Sequence, residues 1–187
     1  MNGTNVTVVT APEPWVNAGP EAVSVFLAGG IQRCPWWQVE VIDLLRGIPN
    51  LGEVVVYNPR RANFPIDDPS AAQAQIEWEF LMLDRAQVFS MWFPNADSDC
   101  PICMYELGRH LALRMRDRQG HLVALGVDPG YRRARDVEVQ VALACGGHEE
   151  VEIERSLLAH VRSIGLAVLA ARHLGQSLRD RAQGRVN

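Results

Sequence analysis

Glu106 is the residue whose type and setting first suggest chemistry. It lies in Asp97-Ser-Asp-Cys-Pro-Ile-Cys-Met-Tyr-Glu-Leu-Gly108, directly after the apolar run Val88-Phe-Ser-Met-Trp-Phe93. That order predicts a buried strand, a polar turn and then a helix whose first turns carry a carboxylate. Ligands of open α/β sheets bind at the carboxyl ends of the strands, so a carboxylate set there among apolar neighbours can face a ligand. A second set of acids, Glu77, Glu79 and Asp84, lies on the predicted helix before that strand. Ile76, Phe80 and Leu83 recur at i, i+4 and i+7 and mark its expected inward face. Glu79, beside that face, can be directed at a pocket; Glu77 and Asp84 are expected to face solvent or their neighbours.

Three further motifs could contribute. Phe26-Leu-Ala-Gly-Gly-Ile31 ends a short apolar strand, and Gly29 and Gly30 would let backbone N–H groups approach a ligand closely. It is not G-x-G-x-x-G, so a dinucleotide fingerprint is unsupported. Tyr57-Asn-Pro-Arg-Arg-Ala-Asn-Phe64 begins where another strand ends; its Asn58, Arg60 and Asn63 suit the polar edges of a heterocycle or a phosphate. Cys100-Pro-Ile-Cys103 has the spacing of a thiol redox pair at a helix N-terminus. No second cysteine pair lies at finger spacing and His110 would be a lone addition, so no metal site is expected.

The elements that must position these residues alternate. Val6–Thr10 is a candidate edge strand within an N-terminal arm of residues 1–20. Strands are expected at Glu21–Ala28, Glu53–Tyr57, Val88–Phe93 and His121–Val127. Helices are expected at Trp36–Leu45 with Val39, Ile42 and Leu45 inward, from a Ser70 cap to Arg85, at Pro101–Arg118, at Asp136–Ala144 and, after a break at Gly146-Gly147, over Ile153–Arg181. The last ten residues look frayed. Strands separated by helices argue for βαβ units and a mainly parallel, doubly wound α/β sandwich of the flavodoxin or Rossmann kind. The expected organisation is an arm (1–20), an α/β domain (21–147) and a C-terminal helical extension of the same domain (148–187).

Composition narrows the function classes. At 187 residues, 48% of them hydrophobic, the chain suits one domain with a real core. A formal net charge of −4 offers no general attraction to a nucleic-acid polymer or an anionic membrane. Arg114, Arg116 and Arg118 are expected to solvate a helix face, whereas Arg132, Arg133 and Arg135 sit in a loop able to meet an anion. No stretch has the layout of a signal peptide and no apolar run reaches spanning length. The Asn2 and Asn5 sequons are chance matches in that setting. Cys34, Cys100, Cys103 and Cys145 are too few and scattered for a disulfide scaffold, so a reduced, cytoplasmic protein is expected.

Taken in order and spacing, Phe26-Leu-Ala-Gly-Gly-Ile31, Tyr57-Asn-Pro-Arg-Arg61, Trp78-Glu79 and Tyr105-Glu-Leu-Gly-Arg109 resemble the nucleoside 2-deoxyribosyltransferase-like proteins, a group that includes nucleoside-monophosphate N-glycosidases. The resemblance covers roughly residues 22–142. It implies an N-glycosidic-bond transferase or hydrolase acting on a nucleoside or its monophosphate, with no cofactor and no metal, often as a homodimer or higher homo-oligomer. Tyr131–Gln140 or the C-terminal helix would then complete a neighbour's site. It also implies that Glu106 is the nucleophile, forming a glycosyl-enzyme, and that the helix dipole favours its ionised form. Asp99 would be the acid near the base, and Glu79 would orient nucleophile or sugar. Asn58, Arg60 and Asn63 would read the base, and Gly29 and Gly30 would hold the sugar or a phosphate. Ser98 lies close to the place of a phosphate-binding serine, and Phe26 falls where some members carry a tyrosine. Cys100, Ile102 and Met104 depart from the family's usual Asp and small residues. A nucleotide-binding module without turnover and a C-x-x-C redox protein are the alternative readings.

Overall fold

The computed structural model describes residues 4–16, 19–146 and 151–184. Six strands form one sheet: β1 (Asn5–Thr10), β2 (Val23–Gly29), β3 (Glu53–Asn58), β4 (Val88–Phe93), β5 (Leu122–Val127) and β6 (Ile153–Glu154). They pair in the order β1-β3-β2-β4-β5-β6, and every pair is parallel. Helices α1 (Trp37–Gly47), α2 (Pro69–Arg85), α3 (Pro101–Arg116), α4 (Ala134–Ala144) and α5 (Leu157–Ala182) connect or follow the strands. The architecture is the expected doubly wound α/β sandwich, with β1 added at one edge.

Strands covered on both faces need apolar residues at every position, and β4 (Val88-Phe-Ser-Met-Trp-Phe93) is buried throughout. Alternation along β2 divides its side chains between two cores. Phe26 and Ala28 join a core with α2, α3 and α4; Val23, Val25 and Leu27 join another with α1 and α5. In the second, Ser90 of β4 bonds the His160 ring of α5 at 2.9 Å. Both are fully buried, and burial pushes the imidazole down to about 3, so it is a neutral core partner rather than a catalytic pair.

Several expectations change. Ile153 and Glu154, assigned to the last helix, form β6 against Leu125 and Gly126. The helix begins only at Leu157, where the Ser156 side chain accepts from the Ala159 N–H. It continues to Ala182, through half of the ten-residue segment expected to fray; Gly147 and residues 185–187 lie outside the described residues. Against the expectation that no apolar run reaches spanning length, α5, with 26 residues and a mean hydropathy of 1.2 over its most apolar 18, is long and apolar enough to cross a membrane. It packs on the sheet through Val161, Ile164, Val168 and Ala171, and Arg172 donates to the Leu51 and Glu53 carbonyls at 2.7 and 3.0 Å. Asp68, not Ser70, caps α2 by accepting from the Ser70 N–H. In α1 the buried stripe is Trp37, Gln38, Val41, Ile42 and Leu45, which leaves Val39 exposed.

α2 presents a different face from the one its apolar repeat suggests. Ile76 and Phe80 are exposed, and the buried side carries Gln75, Trp78, Met82 and Leu83. Trp78 decides this rotation. Its ring sits 6.1 Å from that of Phe26 and 6.4 Å from that of Tyr57, and its indole N–H donates to the Glu13 carbonyl at 2.7 Å. An indole buries more area than an isoleucine and needs a partner for its N–H, so it takes the interior position.

Candidate active site

Strand order reverses between β2 and β4: the chain leaves β2 for β3 on one side and enters β4 on the other. Such a switch point leaves a crevice beyond the strand ends, since the two connections run away from each other. A cavity of about 270 Å³ lies there, lined by Phe26, Gly29, Gly30, Ser98, Glu79 and Glu106 together with Ala28, Pro59, Ile102 and the thiols Cys100 and Cys103. A second cavity of about 350 Å³ shares Ile31, Gln32, Pro59 and Glu79 with it and extends to Arg61, Phe64, Ile66 and Gln75. Joined, they reach the size range of small-molecule sites, about 300–1,000 Å³.

The rotation of α2 that buries Trp78 also turns Glu79 into this crevice. Its Oε1 accepts from Gln75 Nε2 at 2.8 Å, and the same nitrogen donates to the Pro59 carbonyl at 2.7 Å. Glu106 enters from α3. Burial pushes its carboxyl up to about 8; the charge of Glu79 adds to the rise and Arg109 opposes it. Burial raises Glu79 as well, against the bond from Gln75. The helix dipole does not help Glu106. α3 starts at Pro101, so Glu106 stands in the second turn, and the dipole acts within the first. The expected gain for its ionised form is overturned.

Asp99 is exposed and turns its carboxylate to Arg132, 3.4 Å away, outside the cavity lining. Arg132 also holds Asp97 at 2.6 Å, Arg133 pairs with Asp136 and Arg135 with Glu138, so the anions these arginines meet belong to this chain. The turn before α3 is anchored from behind by the Tyr131 hydroxyl, which donates to the Asp99 carbonyl at 2.8 Å. Ser98 remains on the cavity wall, its Oγ 3.3 Å from the Cys100 N–H that it accepts from.

Asn58, Arg60 and Asn63 do not line either cavity. The Asn58 side chain accepts from the Arg60 N–H at 3.0 Å, and Asn63 is exposed. The Arg60 guanidinium is buried, donates to the carbonyls of Cys34 and Pro35 and to Gln38 Oε1, and lies 4.1 Å from the Trp36 ring centre. It pins the loop after β2 to the loop after β3. Removing it strands three acceptors, so Arg60→Ala should lower stability by about 2–3 kcal/mol, read as a lower urea midpoint. A change under about 0.5 kcal/mol would contradict this role. From the same loop, Pro59, Arg61 and Phe64 reach the crevice instead, and polar type alone did not single them out.

A family model described as nucleoside 2-deoxyribosyltransferase like matches residues 22–118. The chain belongs to that family. The match spans β2 through α3, the segment that brings Gly29, Glu79 and Glu106 to one crevice. No curated protein matches the chain. Family membership points to nucleoside deoxyribosyltransferase-like activity.

Proposed function

We propose that this protein cleaves the N-glycosidic bond of a nucleoside through a glycosyl-enzyme on Glu106, passing the sugar to water or to a second base. The observation that carries this reading is the pair of carboxylates, Glu79 and Glu106, facing one crevice from two helices. Retaining cleavage uses one carboxylate as nucleophile and another acid to protonate the leaving group. Asp99, held by Arg132, is less well placed for the second role than Glu79. Among the described residues the inner cavity is lined by two acids and by no lysine or arginine, while Arg61 lines the adjoining one. That setting favours the uncharged sugar and base beside the carboxylates, and a 5′-phosphate would have to reach toward Arg61.

The two acids also suggest how one proton serves the reaction. Below about 8 the pair retains a proton, because a second negative charge in the crevice is disfavoured by burial and by repulsion. Glu106 holds that proton at rest; its transfer to Glu79 frees Glu106 to attack the anomeric carbon and lets Glu79 protonate the departing base. The expected kcat/KM therefore falls about tenfold per pH unit above about 8, as the pair loses its proton. In Glu79→Gln base release should fall because no acid protonates the leaving base, and the titration of Glu106 should move down without the Glu79 charge while burial still holds it raised. A wild-type profile that instead climbs through pH 8 would remove Glu79 from the acid's role.

The activity is tested with a panel of deoxyribonucleosides and ribonucleosides, with and without a 5′-phosphate. Free base is resolved by chromatography in the presence and absence of an acceptor base. Release of base from no member sinks the reading and leaves a binding module. We further propose a homo-oligomer: the exposed Phe80 and Tyr105 adjoin Glu79 and Glu106 in sequence, and Ile76 and Ile102 are also uncovered. A protein that sediments as a monomer with full activity would contradict it.

A further inference from the structure

Three thiols gather at the wall of the crevice from two separate elements. Cys34 comes from the loop between β2 and α1, Cys100 is the residue preceding the first turn of α3, and Cys103 lies within that turn. Gly30 lets them meet. A Cβ built on it would lie 2.5 Å from Cys34 Sγ and 2.9 Å from Cys100 Sγ, so both sulfurs occupy the space that a side chain there would fill. Cys100 holds a left-handed backbone conformation, φ 46° and ψ 53°, uncommon for a residue with a side chain. Cys100 and Cys103 line the cavity, while Cys34 closes over Gly30 from the side.

This is a built environment for one reactive sulfur. The neighbouring Cys103, Ser98 and Cys34 side chains draw the Cys100 thiol down to about 6, against the opposing effect of burial, and Cys100 Sγ lies 3.6 Å from Ser98 Oγ. Burial, with the charge of Cys100, pushes Cys34 up to about 12, so it keeps its proton. A thiolate flanked by a protonated thiol is the arrangement in which one sulfur attacks an oxidant and the other resolves the product.

We propose that Cys100 is a site of oxidative modification by hydrogen peroxide, resolved by Cys34 into a Cys34–Cys100 disulfide. The Cys100 thiolate attacks one peroxide oxygen, the O–O bond breaks, and hydroxide leaves and takes a proton to become water. Cys100 is then a sulfenic acid. The Cys34 sulfur attacks the Cys100 sulfur, the S–O bond breaks, and the Cys34 proton leaves with the hydroxyl as a second water. Two thiols are oxidised by two electrons in all, and one peroxide is reduced to two waters. Cys34 is preferred to Cys103 as the resolving thiol because its sulfur and that of Cys100 lie against the same point, 2.5 and 2.9 Å from a Cβ placed on Gly30. Cys103 is held within the first turn of α3 and is not among the atoms nearest that point. The bond would staple two walls of the crevice, the loop after β2 and the start of the helix carrying Glu106.

The test uses the reduced full-length protein and one equivalent of hydrogen peroxide, followed by alkylation and non-reducing peptide mass spectrometry. The expected product is a Cys34–Cys100 linked peptide, with two thiols lost per peroxide consumed. In Cys34→Ser, Cys100 should persist as a sulfenic acid that a cyclic 1,3-diketone traps. In Cys100→Ser, peroxide consumption should slow at least tenfold and leave Cys34 and Cys103 alkylatable. A Cys100–Cys103 product, or a Cys100 that stays reduced while other cysteines oxidise, overturns the proposal. The readout is sulfur chemistry alone, so it stands or falls separately from glycosidic cleavage.

Discussion

Replacing Glu106 with alanine is expected to lower kcat/KM for base release by about 10³-fold or more, while nucleoside affinity changes only a few-fold. A nucleophile contributes to a bond that exists only after the ground state, so its loss falls on the chemical step rather than on binding. Truncation also opens a small space in the crevice wall where Glu106 stood. A small anion such as formate or azide could enter that space and attack the anomeric carbon in its place. Recovery of base release on adding either anion, with a sugar adduct found by mass spectrometry, would separate a missing nucleophile from a damaged fold. Activity within tenfold of wild type would remove Glu106 from the mechanism.

The same carboxyl carries a stability cost whose sign follows from its position. Burial and Glu79 raise it from 4.5 to about 8 in the folded state, so folding favours the protonated form. The stability it contributes is complete below about 4.5 and is lost as pH rises through about 8. Glu106→Gln cannot ionise and escapes that loss. At pH 9 it should therefore be more stable than wild type by on the order of 2 kcal/mol, the full shift being discounted for residual solvent contact at about 1.4 kcal/mol per unit. The two should converge near pH 4. An inactive but alkali-stabilised variant is the signature expected of a site that trades stability for chemistry.

How much of this was legible in the sequence depended on whether a residue's role was local. The β-branched and aromatic runs of β3 and β4 could only be strands buried on both faces, and their alternation with helices settled the doubly wound class. Glu106 stood out because the strand, turn and helix before and around it are contiguous. Long-range roles were not visible. Ile76, Phe80 and Leu83 make a perfect helical repeat, yet Trp78 overrides it through rings on β2 and β3. Arg60 looked free to meet a ligand, but its donors go to carbonyls of a loop some 25 residues earlier. β6 spans two residues, too few for any periodicity, and is defined only by its pairing with β5. The meeting of Cys34 with Cys100 is likewise a product of the tertiary fold, since nothing between them in sequence links the two.

Gly29→Ala is expected to be the most destabilising single methyl that can be added near the crevice. Gly29 ends β2 opposite Trp92 of β4, at the switch point itself, with φ +144°, a conformation that side chains rarely adopt. A Cβ there would lie 2.2 Å from the Trp92 carbonyl oxygen and 2.7 Å from the Trp37 ring. Neither neighbour can yield. The oxygen belongs to the paired strand, and the Trp37 indole is fixed by donating to the Gly30 carbonyl at 2.8 Å. Strain and steric overlap act together, so the loss should reach about 3–5 kcal/mol, enough to consume much of a typical domain's stability. Urea unfolding measures it, with Gly47→Ala as the control. A Cβ on Gly47 meets nothing within 4 Å, and that residue ends α1 without a positive φ, so alanine there should be neutral or stabilising by up to about 1 kcal/mol. Equal midpoints for the two variants would mean that β2 and β4 can separate at their ends. The crevice would then lack the rigid floor against which Glu79 and Glu106 are held, because Gly29 itself lines the site.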